Sequence, residues 1–263
     1  MISRKPIWII YAFDCVEEPI DQENIMIRFL TKKVFRKFGY EIKKLGQIDT
    51  DLNDISNKSD YLKLSQRYKN YQPLKLHFGC GPRVLKGWVN IDLKYEPCEN
   101  YLKYYGDRYY PKEIRGDKSD LYAFDVTKCG LPLPNNCVDV VFHEDFLEHL
   151  SQQEQIVFLV ETFRVLKPEA IHRVNTPNLI HSMRDHSDFK KGIQGIYTYE
   201  WVHARHLNVL TPACLEELAL MVGYKKVIFT GRDKSASKLI PLEYRPDSKD
   251  RPEDGNIFAD LIK

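Results

Sequence analysis

The sequence predicts an α/β fold: a mostly parallel sheet with helices on both faces, a short first crossover, and an N-terminal helical extension. Three observations carry this prediction. Beyond residue 72, short apolar runs alternate with helix-length segments that have clear ends. The first of these runs stops at Gly79-Cys80-Gly81, a turn built for close backbone approach. About nine residues then separate Phe78 from the next run at Trp88. A helical crossover needs at least ~10–12 residues, so the first connection has room for one helical turn at most.

Before residue 72 the elements are fewer. The run Ile7-Trp8-Ile9-Ile10-Tyr11-Ala12-Phe13 is far short of the ~20 residues that span a bilayer. It also lacks a small-residue cleavage site, so it reads as a buried strand rather than a signal peptide. Ile27, Leu30, Val34 and Phe38 recur at helical spacing and predict a helix over 24–38, with Gly39 able to end it. Its polar side carries Arg28, Lys32, Lys33, Arg36 and Lys37, followed by Lys43 and Lys44. A basic amphipathic segment such as 24–44 can make weak contact with an anionic membrane surface. It can equally be the solvated face of a helix packed on the main domain, and both readings stay open. Residues 47–72 are polar and read as a linker. The expected division is an extension at 1–72 and a main domain at 73–263.

In the main domain, strands are expected at 74–78, 88–92, 121–125, 138–143, 170–175 and 225–230. Ser151-Gln152-Gln153-Glu154 is a capping box. The serine oxygen accepts an orphan N–H of the first turn and the glutamate reaches back. Ile156, Leu159, Val160, Phe163 and Leu166 follow as the buried stripe, and Pro168 closes the segment. A second helix opens at Thr211-Pro212, shows Leu215, Leu218, Ala219 and Val222 inward, and stops at Gly223. Such alternation produces a covered parallel sheet. Ligands of open α/β sheets bind at the carboxyl ends of the strands.

Composition narrows the function classes. A formal net charge of +2 gives no basic footprint for nucleic acid. The six cysteines form no C-x-x-C pair, and no Cys/His cluster has zinc spacing. They read as reduced thiols of a cytoplasmic protein, with no metal site expected.

The glycine turn departs from a dinucleotide fingerprint, since Val84 stands where the third glycine belongs. A pyrophosphate at a helix N-terminus is therefore poorly matched. Asp92 closes the second strand, where a carboxylate can accept from both ribose hydroxyls. Asp125 closes the third, where it can read an adenine edge. Each aspartate can also be a helix cap or turn residue.

Three segments, "LHFGCGPRVLKGWVNIDL", "FDVTKCGLPLPNNCVDVVFHEDFLEHL" and "ETFRVLKPEAIHRVNTPNL", together resemble the class I S-adenosylmethionine-dependent methyltransferases. They are most similar to the branch linked to sugar, lipopolysaccharide or capsule modification. The resemblance spans about 74–230 and includes the short first crossover. It implies a Rossmann-like fold and S-adenosylmethionine as cofactor. It also implies that Gly79, Cys80 and Gly81 face the methionine part, Asp92 holds the ribose, and Leu93 flanks the adenine. Asp125 and Val126 would hold the adenine, and His143 would lie near the methionine tail and transfer site. His77 occupies the usual acid or asparagine position, which in the family contacts the cofactor's amino group. Asp145 stands where the branch has histidine, and Glu169-Ala170 where it has a glycine pair.

The resemblance implies methyl transfer to a hydroxyl or amine of a small acceptor, with a sugar, nucleotide sugar or glycan favoured. A base is needed only where the acceptor must shed a proton. His143 and Asp145 are the first candidates, followed by His149, His181, His203 and His206. Tyr197, Tyr199 and Trp201 can line an acceptor pocket or pack in the core. The rival readings are a catalytically silent relative that binds a nucleotide or a partner, and a nicotinamide-dependent oxidoreductase.

Overall fold

The computed structural model describes residues 8–12, 40–44, 57–185, 197–243 and 253–263. The chain divides into two compact units, 1–49 and 50–263. In the first, β1 (Trp8–Ala12) pairs in parallel with β2 (Tyr40–Lys44). The apolar run is thus a strand, and its partner was not foreseen. The helix predicted over 24–38 lies outside the described residues.

The second unit opens with α1 (Lys58–Arg67), inside the stretch read as linker. That reading is corrected here. Tyr61, Leu64 and Tyr68 recur at helical spacing within a polar segment, and Leu64 is fully buried. The Asp60 carboxylate accepts from the Ala123 N–H at 2.9 Å, tying α1 to a sheet strand.

The strands and helices that follow are β3 (Lys75–Phe78), β4 (Val89–Asp92), α2 (Cys98–Tyr105), β5 (Leu121–Ala123) and α3 (Val126–Cys129). Next come β6 (Val138–Glu144), α4 (Gln152–Val165), β7 (Leu166–Pro177) and α5 (Leu179–Asp185). A π-helical turn (Tyr197–His203), α6 (Pro212–Val222), β8 (Lys226–Phe229) and β9 (Asn256–Ile262) complete the order. The seven-stranded sheet runs β5-β4-β3-β6-β7-β9-β8. β5, β4, β3, β6 and β7 are parallel, while β9 lies antiparallel to both β7 and β8. The expected Rossmann-like sheet is present. No helix occupies the crossover between β3 and β4.

Both faces are covered, unequally. Leu76, Phe78, Val141 and Val174 point to the face packed by α1, α3, α4 and α6. Trp88, Val140 and Phe142 point to the other, where α2 contributes Tyr101. On that second face Arg173, Glu243 and Asp260 are all fully buried. Arg173 donates to Glu243 through Nε at 2.8 Å and to Asp260 at 3.2 Å, anchoring the 230–243 loop. Among the described residues no helix is long and apolar enough to cross a membrane.

Candidate active site

The carboxyl ends of β3, β4, β5 and β6 meet along one edge of the sheet, at Phe78, Asp92, Ala123 and Glu144. Gly79 leaves β3 at φ 58° and Gly81 follows at φ 48°, both left-handed. A Cβ on Gly79 would stand 2.5 Å from Cδ2 of Phe146, so that side of the turn is filled. A Cβ on Gly81 would meet nothing within 4 Å. The turn therefore presents open space at Gly81 to a ligand.

Asp92 sits beside that opening. Its Oδ2 accepts the Gly81 N–H at 2.8 Å and its Oδ1 the Leu93 N–H at 2.6 Å. Burial pushes its carboxyl up, and these backbone N–H groups pull it back. Leu93, next along, is 68 % exposed. A large apolar side chain thus stands in solvent beside the Asp92 carboxylate. Cys80 is buried, and burial together with Asp92 pushes its thiol well up, so it stays protonated.

Asp125 caps α3. It accepts from the Thr127 N–H at 3.0 Å and hydroxyl at 2.7 Å, and pairs with Lys128 at 3.0 Å. Burial raises its carboxyl, but the Thr127 and Lys128 contacts outweigh this and hold it low. The cap alternative is thus realised, at the strand end adjoining Asp92. Val126 is buried in the core.

His77 faces the second core, 2 % exposed and stacked on Phe142 at 5.2 Å. Asn90 fixes its tautomer. The Asn90 amide nitrogen donates to three carbonyls, of Leu85, Trp88 and Asp120. Its oxygen must then take a proton from His77 Nδ1, at 3.0 Å. Burial, with Arg83 nearby, lowers the His77 pKa to about 3. The ring is neutral and committed to Asn90.

His143 lies in the first core, fully buried among Phe146, Phe158 and His172. Neither ring nitrogen has a hydrogen-bond partner, and burial lowers its pKa to about 3. Asp145 follows at φ 46°, half-buried, where β6 turns out of the sheet. The structure thus separates the two first candidates for a base: the His143 ring goes into the core, and Asp145 stays half-buried at the mouth.

Sequence reasoning missed what gathers just beyond. The turn Leu147–His149 sends Glu148 inward, fully buried, and leaves His149 exposed. The Glu148 carbonyl accepts the N–H groups of Leu207 at 2.8 Å and Asn208 at 3.1 Å. Gln155 donates to the carbonyls of Leu147 and Asn208 at 2.8 and 2.9 Å, fastening the same loop. His206 is thereby brought against His149, with ring centroids 5.0 Å apart. The adjacent pair Glu148-His149 was visible in the sequence, but nothing local linked it to His206. Of the remaining candidates, His203 is exposed, Trp201 is half-buried in the π-helical turn, and His181 lies 3.5 Å from Asp254.

Comparison with known proteins bears on this edge of the sheet. Residues 76–174 match the family model described as "Methyltransferase domain". The match covers residues 76–174 alone and marks what that stretch is similar to. A protein of Mycolicibacterium smegmatis named "Probable S-adenosylmethionine-dependent methyltransferase" is 50 % identical over 50 residues. That match spans 19 % of this chain and 19 % of the relative. Among solved structures, a SAM-dependent methyltransferase from Archaeoglobus fulgidus aligns at TM-score 0.45 and 15 % identity, covering 90 % of this chain and 99 % of that one. One from Mesorhizobium loti aligns at TM-score 0.42 and 13 % identity, covering 72 % and 90 %.

Proposed function

We propose that this protein transfers a methyl group from S-adenosylmethionine to a hydroxyl or amine of a small acceptor. The observation that carries the reading is the opening at Gly81, set against the Asp92 carboxylate with Leu93 exposed beside it. Gly79 to Gly81 would accommodate the methionine part, Asp92 the ribose, and Leu93 with Asp125 and Val126 the adenine. His77 would support the turn from behind, through Asn90. The cofactor supplies a methyl group already activated on a sulfonium, with a neutral leaving group.

The chain then has two tasks, in-line positioning and disposal of a proton. With the cofactor bound, the turn at Gly79–Gly81 and Asp92 would hold its methyl group in line with the acceptor atom, which would take the methyl while the thioether leaves. The acceptor's proton goes to Asp145, the carboxylate at the β6 mouth. His143, held neutral by burial, would position Phe146 and the turn rather than accept that proton. The favoured acceptor is a sugar, nucleotide sugar or glycan end, as in polysaccharide modification; the resemblance of the three sequence segments supports this choice.

Calorimetry with S-adenosylmethionine tests the site. The wild type should bind, and Asp92→Ala should lose at least tenfold in affinity while remaining folded. No binding by the folded wild type would favour the catalytically silent relative instead.

A further inference from the structure

We propose that Glu148, His149 and His206 bind a divalent transition-metal cation at the mouth of β6. We further propose that the cation holds the acceptor through two adjacent oxygens. Among the described residues, these three side chains bring one ligand atom each within 4.8 Å of one another.

The separations suit a shared cation better than direct bonds. His206 Nε2 lies 3.9 Å from Glu148 Oε1, too far for a hydrogen bond. Ligands about 2.1 Å from a common ion stand roughly 3–3.5 Å apart, so a small inward shift closes the set.

The surrounding contacts orient the ligands. His206 Nδ1 lies 2.7 Å from Glu200 Oε2, which orients the ring with Nε2 toward Glu148. Glu200 is itself fixed by the Ser182 hydroxyl, and Glu148 Oε2 by the Thr176 hydroxyl at 2.9 Å. A histidine whose second nitrogen is held by a carboxylate is the usual support of a metal ligand.

Two imidazoles and a carboxylate favour zinc, cobalt, manganese or iron(II) over magnesium or calcium. Three protein ligands leave coordination positions open. Those positions face outward, since His149 is the exposed member of the set. Asp145, the proposed proton acceptor, is near enough to act electrostatically on His149. A vicinal diol would fill two of the open positions, and the cation would lower the pKa of the hydroxyl that Asp145 deprotonates. The role in catalysis rests on the methyltransferase reading; the metal site itself does not.

The test uses tag-free full-length protein titrated with Co²⁺, read by visible d–d absorption, with Zn²⁺ as competitor. One Co²⁺ per chain, displaced by Zn²⁺, is expected. His149→Ala, whose side chain is exposed, should weaken Co²⁺ binding at least tenfold with unchanged thermal unfolding. Glu200→Gln, which keeps the side chain's size and removes its charge, should weaken it by about 10–100-fold. Absence of a Co²⁺ band in the folded wild type overturns the proposal, as does wild-type affinity in His149→Ala. A parallel titration with S-adenosylhomocysteine separates the two readings. Nucleoside binding without Co²⁺ binding overturns the metal site alone, and the converse overturns the cofactor assignment alone.

Discussion

Gly79 and Gly81 look alike in sequence and are needed for different reasons. Both adopt a left-handed backbone, which costs a residue with a Cβ about 1–2 kcal/mol. Only at Gly79 would the Cβ also run into Phe146. Gly79→Ala should therefore lose a further ~1–3 kcal/mol from overpacking. Gly81→Ala should keep most of its stability and lose cofactor affinity instead. Urea denaturation with calorimetry on both variants checks this, and equal destabilisation would remove the Phe146 contact as the reason for Gly79. The turn after Lys167-Pro168 shows the same logic in reverse. Its usual glycine is Glu169, which nevertheless holds φ 63°. An ion pair with Lys225 and an N–H bond to Lys263 O at 3.1 Å keep it there. The glycine turn and the two aspartates were legible because turn chemistry is local. The depth of His143 was not, because it depends on which helix covers the strand end.

At the level of elements, the helices with clear chemical ends were the most legible. The capping box at Ser151 forms as expected, with Glu154 N–H to Ser151 Oγ at 3.3 Å and Ser151 N–H to Glu154 Oε2 at 2.8 Å. Thr211 likewise caps α6. α1 escaped notice because a single leucine and flanking tyrosines carry its buried stripe. Its docking predicts a contrast. Leu64→Ala should cost about 2–5 kcal/mol, as a fully buried leucine does. Leu62→Ala, at a 39 % exposed position on the same helix, should stay within about 0.5 kcal/mol. Thermal melts of the two variants measure the difference, and similar losses would mean that α1 does not dock through Leu64. β9 was missed for another reason. It is buried throughout and carries Asp260, which reads as polar until Arg173 from β7 arrives beside it.

For the molecule as a whole, the buried histidines set the response to acid. His77 and His143 have pKa values lowered to about 3 from 6.5, and His172 is pushed well below its usual range, all by burial first. Below pH ~6.5 the unfolded chain takes up these protons and the native chain does not, so stability is full above that pH and falls below it. At pH 5, His77 and His143 should each cost about 2 kcal/mol, from roughly 1.4 kcal/mol per pH unit, with His172 adding in the same direction. The melting temperature should drop steadily between pH 7 and 5, and His143→Phe should flatten that slope. A pH-independent melting temperature over this range would show that the rings are hydrated. This acid sensitivity belongs to both cores together, since His77 lies in one and His143 and His172 in the other.

The sequence by itself determined the alternating α/β order, the helix-free first crossover, the capped ends of α4 and α6, and the glycine turn beside Asp92. Each of these rests on interactions within a few residues, such as caps, turns and periodicity, and so can be read along the chain. Only the tertiary structure decided the rest. It sent His143 into a core and Asp145 to the mouth, slid β9 antiparallel between β7 and β8, and buried Arg173 with Glu243 and Asp260. It also carried His206 across to Glu148 and His149. Those outcomes depend on which surfaces exclude water together, and that is fixed by packing between segments far apart in the chain.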